Sequence, residues 1–406
     1  MAEWDVAIVG AGPSGLATAT RLARAGYDVI VLEREAQAGG IPRHCGHKAF
    51  GMREYHAFLS GPQYAARLVD EAENAGVNIK RRCSVRALKP HGLLETVDEN
   101  GPGTLQARFV VLATGVRETS RAQRLMGGQK PGGIMSTSAL QQLIYLQGEK
   151  PFSRPIIVGS ELVAFSAILT CRHVGIKPVA MIEENSRPTA FSVARGLPFM
   201  LGIPFLTRSH IQDIRGRDQV ESVVISGPKG SREIAADGVI VTGKFQPDIA
   251  LLRQSHLQID DRSGGPIMDE FGRLSDACYF AVGNLRRPVE TAGWCWQEGV
   301  ELAQVLERAL EGSLPAPEKT AHRIEIASDA IKLAVPQIWY ADEAHGAKAL
   351  QIRLKRKASG KLCLWQQDKL IASRKINSLP ERRILLPIQQ AIRGQGPLIL
   401  RLEEKA

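Results

Sequence analysis

Aromatic side chains are few in this 406-residue sequence, with Phe, Trp and Tyr together making up 5%. Proteins that grip single-stranded nucleic acid by stacking need aromatic platforms, so that class is disfavoured. Cysteine is scarce too. The six cysteines (Cys45, Cys83, Cys171, Cys278, Cys295, Cys363) are scattered, and no two are spaced C-x-x-C. This argues against a disulfide framework and a structural zinc site, so no metal ligands are assigned. Long apolar runs are missing as well: no stretch reaches the roughly 18 residues of a membrane-spanning helix. The opening residues Met1-Ala2-Glu3-Trp4-Asp5 lead straight into an apolar run, without the basic head of a secretory signal. A cytoplasmic location is expected.

Hydrophobic residues at 44% and charged residues at 23% are ordinary for a globular chain. Disorder, collagen and coiled coil are excluded, and the length suggests two or three domains. The formal charge is +10, and from Ala321 onward 16 Lys+Arg face 8 Asp+Glu. The plain reading is a solvated basic surface. The sharper one is a patch for an acidic partner protein or for peripheral contact with an anionic membrane. Nucleic acid is not expected as a partner, because no recognised motif accompanies the charge.

The runs Asp5–Val9 and Asp28–Leu32, with helical spacing from Pro13 to Ala25 between them, form a βαβ unit. A helix is expected over Gln63–Ala75, and strands around Val77–Lys80, Ser84–Leu88 and Phe109–Ala113. A second βαβ pattern follows, with a strand over Pro155–Val158, a helix over Leu162–His173 and a strand over Lys177–Ile182. Further strands are expected at Gln219–Ser226, Glu233–Val241 and Cys278–Val282, then a helix over Gln297–Glu311. The Pro- and Gly-rich stretch Glu311–Lys319 marks a boundary. Beyond it, Leu350, Ile352 and Leu354 alternate with Gln351, Arg353 and Lys355, and runs at Leu362–Trp365, Ile384–Pro387 and Leu398–Leu402 are similar. The expected fold is α/β, with two Rossmann-like dinucleotide-binding domains and a small C-terminal all-β domain. The first covers 1–118 and 245–315, the second (119–244) is inserted in it, and the basic β-rich domain covers 320–406.

Gly10-Ala11-Gly12-Pro13-Ser14-Gly15 is a G-x-G-x-x-G placed after a strand and before a helix. The first glycine permits the tight turn, the second lets a pyrophosphate reach the backbone at a helix N-terminus, and the third allows strand–helix packing. Glu33 lies 21 residues after Gly12, at the end of the second strand, where a carboxylate can accept ribose hydroxyls.

With Gly39-Gly40, Ala113-Thr114-Gly115, the second βαβ unit and Tyr279-Phe280-Ala281-Val282-Gly283-Asn284 in order, residues 4–312 resemble the two-dinucleotide-domain flavoproteins of the pyridine nucleotide–disulfide oxidoreductase type. The segments Gly39–His47, Phe50-Gly51-Met52 and Ser60–Tyr64 are similar to a subgroup of FAD subunits or partners of amino-acid, opine and glycerol-3-phosphate dehydrogenases. The resemblance implies FAD in the first domain. Gly10, Gly12, Pro13, Ser14 and Gly15 would face its pyrophosphate, and Glu33, with Arg34 beside it, its adenosine ribose. Val85 falls where a backbone group meets adenine. Gly40, Ile41, Ala113, Thr114, Gly115 and Gly283 would line the cofactor, Asn284 would meet the ribityl chain in place of a common Asp, and Thr291-Ala292 would adjoin the pyrimidine edge.

Two departures from the family pattern bear on chemistry. Only Cys45 stands near the place of the redox cysteine pair, and a dithiol relay needs two thiols, so a disulfide substrate is not expected. Arg43, His44 and Cys45 are the candidate catalytic residues. Cys45 with His44 and His47 could form a charged pair, or be a buried structural thiol; Arg43 could hold a substrate anion or the FAD pyrophosphate. In the second fingerprint, Gly159-Ser160-Glu161, the middle glycine is replaced by Glu161, which would meet cofactor phosphates with like charge. Glu183 still offers a ribose-type acid, so NAD rather than NADP would bind there, if either does. The expectation is an FAD-dependent dehydrogenase or electron-transfer subunit. It would oxidise a small organic substrate or serve a partner redox subunit, as a hetero- or homo-oligomer. The alternatives are a self-contained NADH-dependent flavin reductase and a non-catalytic FAD-binding scaffold.

Overall fold

The computed structural model describes residues 3–190, 196–316, 321–340, 346–388, 392 and 396–404. Residues 317–319 of the expected boundary stretch lie outside these. The chain divides into two compact units, one of Met1–Gly40, Ala65–Val116 and Pro247–Ala406, the other of Ile41–Tyr64 and Arg117–Gln246. The second is thus inserted in the first. The segment Ile41–Tyr64 clusters with the second unit because Cys45 packs on Ser166 there, and a side chain on Gly46 would run into Tyr145.

In the first unit, strands Asn78–Lys80, Val29–Leu32, Trp4–Val9, Gly101–Leu112 and Tyr279–Ala281 lie side by side in that order, each pairing parallel with its neighbour. Val6, Ala7 and Ile8 are wholly buried, which explains why these strands are continuously apolar rather than alternating. The sequence order reverses at Trp4–Val9, so the crevice between that strand and Gly101–Leu112 is the switch point where open α/β sheets bind ligands. The expected strand Phe109–Ala113 is the end of this longer strand, whose first half pairs antiparallel with Leu93–Asp98. Helix Pro13–Arg24 packs on helix Ala292–Leu310 through a close approach at Gly299, whose carbonyl accepts the Thr18 hydroxyl at 3.0 Å. The latter helix begins five residues before the Gln297 expected, because Gly293 and two tryptophans disguise its first turn as loop.

The C-terminal strands belong to the same unit and form two sheets. One has the order Ile338–Tyr340, Ala321–Ile326, Leu398–Glu404, Ala358–Gln366, Lys369–Ser378; the other Ile331–Val335, Ala349–Leu354, Ile384–Pro387. Leu350, Ile352 and Leu354 are wholly buried among Leu362, Leu364, Leu386 and Leu400, as the alternation implies. The polar face of that strand is not all solvated: Arg353 is 2% exposed. It meets Glu290 of the dinucleotide fold, while Leu333 and Val335 complete that fold's core with Leu252, Met268 and Leu285. The C-terminal strands are therefore joined to the first fold, and Arg353 and Arg383 do not contribute to an open basic patch.

The second unit has a parallel sheet in the order Ile134–Ser136, Gly238–Val241, Pro155–Val158, Ala180–Glu183, Phe205–Thr207. Its two faces are covered by separate apolar clusters, one centred on Phe165 and Ile168 of helix Leu162–His173, the other on Ile214, Val223 and Ile225. The run Glu233–Val241, expected as one strand, is two. Gly230–Ala235 pairs antiparallel with Ser222–Gly227, and Gly238–Val241 joins the parallel sheet. Asp237 breaks the run, its carboxylate accepting the backbone N–H groups of Ser153 and Arg154 at 2.7 and 2.6 Å. Among the described residues no helix is long and apolar enough to cross a membrane.

Candidate functional site

At the switch point of the first fold, Gly10 has φ +109°, and a side chain there would meet the Ala113 carbonyl at 2.7 Å. Strand end and fingerprint loop are thus in backbone contact. Over Gly12, a side chain would meet no atom within 4 Å. This is the open approach a pyrophosphate requires at the N-terminus of helix Pro13–Arg24, where Gly12 is the N-cap without a capping side chain. Gly40 packs onto Gly12 from the other side, its Cβ position 2.8 Å from the Gly12 Cα. Gly283 packs against Ser14.

Glu33 is 7% exposed and is already engaged. Its Oε2 accepts the Ala11 N–H at 3.0 Å and its Oε1 the Glu35 N–H at 2.9 Å, which leaves a lone pair on each oxygen for ribose hydroxyls. The Glu33 carbonyl accepts the Cys83 N–H at 2.9 Å, which sets the half-buried Val85 strand beside this acid. Arg34 is exposed, 3.9 Å from Asp248. Thr114 donates to the Asp248 carbonyl at 2.9 Å, and the Asp248 N–H donates back to the Gly115 carbonyl at 2.9 Å. The open Gly12, the engaged Glu33 and these turns fit a dinucleotide cofactor.

Asn284 differs from the expectation that its amide faces the ribityl chain. Its Nδ2 donates to the Glu290 carbonyl at 3.1 Å and its Oδ1 accepts the Glu290 N–H at 2.7 Å, closing the loop before helix Ala292–Leu310. Thr291 is exposed at the N-cap and its side chain does not cap. Behind the loop lies a buried ionic network that the sequence did not reveal. Arg287 is bonded to Glu298, Arg353 to Glu290, and Arg383 lies 3.9 Å over the Trp294 ring. Burial pushes the Glu298 carboxyl up, but Arg287 and Arg286 beside it hold it below its ordinary value.

The second fold has the same plan, with Glu161 lying across the turns at its switch point. Its switch point lies between Pro155–Val158 and Gly238–Val241. Glu161 stands at the N-cap of helix Leu162–His173, and its Oε1 accepts the Lys244 N–H at 2.6 Å, joining the turns that follow the two strands. The carboxylate lies over Gly243. Arg124 donates to the Thr242 and Gly243 carbonyls at 2.5 and 2.7 Å, with Glu161 among its charged neighbours. Glu118 accepts the Gly243 N–H at 3.0 Å, and burial pushes its carboxyl up. Glu183 is 5% exposed and accepts from the Ser160 hydroxyl, the Asn185 N–H at 2.8 Å and the Asn185 amide at 2.7 Å. Arg124 and Glu118 were not legible as site residues, since neither lies in a motif.

Ile41, Arg43, His44 and Cys45 lie in or just after a short turn of the second unit. The ring beside the Cys45 sulfur belongs to His47, Nδ1 at 3.1 Å, rather than to His44. Ser166 Oγ lies 3.7 Å from the sulfur and accepts the Gln141 amide at 2.8 Å. Burial pushes the Cys45 thiol up and the His47 imidazole down, so the pair is neutral rather than the charged pair entertained from sequence. Ser166 and Gln141 went unread because they are remote in sequence.

Comparison with known proteins places the chain. Residues 4–308 match the pyridine nucleotide-disulphide oxidoreductase family. One subunit of opine oxidase from Agrobacterium tumefaciens (strain Ach5) is 24% identical over 313 residues, covering 69% of this chain and 61% of the relative. The NAD-dependent dihydropyrimidine dehydrogenase subunit PreT homolog of Salmonella typhi is 44% identical over 314 residues, covering 75% of this chain and 68% of the relative. The fold is shared with thioredoxin reductase of T. acidophilum, with a TM-score of 0.63, 22% identity, and coverage of 77% of this chain and 99% of that one. The chain belongs to the pyridine nucleotide-disulphide oxidoreductase family.

Proposed function

We propose that this protein is an FAD-containing dehydrogenase or electron-transfer subunit that oxidises a small organic substrate, or exchanges electrons with a partner subunit, without a working nicotinamide site. One contrast carries the reading: Gly12 is open at the first switch point, while Glu161 bridges to Lys244 across the second. Bound FAD supplies two-electron redox chemistry. Gly12, Ser14 and Gly15 offer it backbone N–H groups, Gly10 and Pro13 shape the turn that leaves it room, Glu33 takes the adenosine ribose, Val85 adjoins the adenine, and Ala113–Gly115 with Gly283 line the same crevice. In the second fold a pyrophosphate would have to displace the Glu161 carboxylate from a backbone N–H and accept like charge at close range. Two unit charges about 4 Å apart at an effective dielectric of about 20 interact by about 4 kcal/mol. The names of the relatives, both subunits, support a partner.

The test is anaerobic mixing of the FAD-loaded protein with NADH. A yellow flavin band that persists for minutes is expected. Bleaching within seconds would overturn the reading in favour of a self-contained NADH-dependent reductase, which the NAD-dependent Salmonella relative favours.

A further inference from the structure

We propose that Arg353, on the C-terminal sheet, is a positioning residue for the flavin: it fixes the cofactor-side loop from Asn284 to Thr291 through Glu290. The proposal rests on the reading of the first crevice as an FAD site.

The chain of contacts is continuous. Arg353 lies on the central strand of the three-stranded sheet, and its Nη2 is bonded to Glu290 Oε1. Both residues are buried, with side-chain exposures of 3% and 7%. Glu290 is fixed at its other end, because its N–H and carbonyl both close on the Asn284 amide, at 2.7 and 3.1 Å. Asn284 follows Gly283, which packs on Ser14 of the fingerprint helix. One step therefore leads from the arginine to a carboxylate, a second to the loop backbone, and a third to the residue beside the fingerprint. Arg383 adds to the grip. Ile352 pairs with Ile384, so Arg383, just before that strand, lies next to Arg353, and Arg383 covers the Trp294 ring in the first turn of the next helix.

The physical reason for an arginine here is charge compensation. A buried carboxylate is costly without close charge compensation, and Arg353 is the near partner of Glu290, with Arg287 and Arg383 at 3.9 and 4.0 Å, so the loop is held in the arrangement that keeps Glu290 on Arg353. Arginine also fixes geometry more firmly than lysine, since its guanidinium is planar and its donors are preorganised. The C-terminal strands would then bear on the flavin without touching it, and a partner that shifts them would change flavin affinity or potential.

The experiment is FAD titration of the full-length apoprotein, followed by flavin fluorescence, for wild type, Arg353→Ala, Arg353→Lys, Asn284→Ala and the Arg353→Ala/Asn284→Ala double variant. Arg353→Ala is expected to weaken FAD at least tenfold and Arg353→Lys to recover part of the loss. The double variant should bind no worse than the weaker single variant, because both changes release the same loop. The flavin midpoint potential should move with Arg353→Ala and return toward wild type in Arg353→Lys. Should Arg353→Ala fail to fold, Glu290→Gln removes the charge but keeps the backbone pair with Asn284, and a loss of several-fold is expected. If wild type binds FAD and the Arg353 and Glu290 variants bind it within twofold, or if the two single effects multiply in the double variant, the positioning role is wrong and the FAD site stands. A wild type that binds no FAD overturns the site and the role together.

Discussion

The carboxylate of Glu161 accepts the backbone N–H of Lys244 at 2.6 Å, and so spans the turns that follow two adjacent strands of the second fold. Lys244 also reaches Glu184 at 2.8 Å, which ties the same turn to the end of the neighbouring strand. Glu161→Gly removes the like charge, frees the Lys244 N–H and restores the glycine of the fingerprint. NADH affinity by isothermal titration is expected to rise at least about tenfold, or roughly 1.4 kcal/mol. Equal and tight binding by both proteins would show that the carboxylate swings aside.

Glu33 contrasts with Glu161, since its carboxylate holds its own loop and still leaves lone pairs toward the crevice. Glu33→Ala removes a charged hydrogen-bonding group, and FAD binding is expected to weaken by about 1–3 kcal/mol. Glu33→Gln, which can still accept from one of the two N–H groups, should lose less. An unchanged dissociation constant in both variants would remove Glu33 from the ribose.

Much of this was legible in the sequence, for reasons that differ between elements. The parallel strands Trp4–Val9 and Pro155–Val158 are buried on both faces, so their apolar runs stand out, and helix Leu162–His173 has the bounds its periodicity predicts. The replacement at Glu161 was visible because a glycine fingerprint leaves little freedom. The bridge from Glu161 to Lys244 was not, since it joins residues 83 apart. The same holds for Arg353. Period-two alternation says only that it lies opposite Ile352, and whether that face meets water or another fold depends on Glu290, 63 residues earlier. The imidazole beside Cys45 was narrowed to two histidines by proximity, and the turn Ile41–His44 then decided for His47.

The pair Arg287–Glu298 carries a stability prediction. Both side chains are nearly inaccessible, at 1% and 2%, and Arg287 is also bonded to Gln351 and to the Gly283 carbonyl. Glu298→Ala leaves Arg287 buried without its closest carboxylate, and unfolding by urea should show a loss of about 3–5 kcal/mol. Arg215→Ala, at the exposed pair with Glu233, should leave the midpoint nearly unchanged. Comparable losses in the two variants would mean that the buried network contributes no more than a surface pair.

Glu270 gives the protein a stability that falls as pH rises from about 4.5 to about 8. It is 3% exposed; its Oε1 accepts the Tyr340 N–H at 2.9 Å, and its carbonyl accepts the Ala347 N–H at 2.7 Å. Burial, then the neighbouring Asp269, pushes its carboxyl up from 4.5 to about 8, against a smaller pull from Arg273. A raised carboxyl binds its proton more tightly in the folded chain than in the unfolded one. Its contribution is therefore complete below the unfolded value of 4.5, declines as pH rises, and is gone above about 8. In Glu270→Gln the amide oxygen can still accept the Tyr340 N–H, and nothing titrates. Between about pH 5 and pH 8.5 wild type should lose on the order of a few kcal/mol more than Glu270→Gln, read as urea midpoints at matched ionic strength. The two curves should converge toward acid and separate toward alkali, with the variant the more stable above about pH 8. Parallel curves over that range would mean that Glu270 is ionised in the folded protein at neutral pH, stabilised by Arg273 despite Asp269.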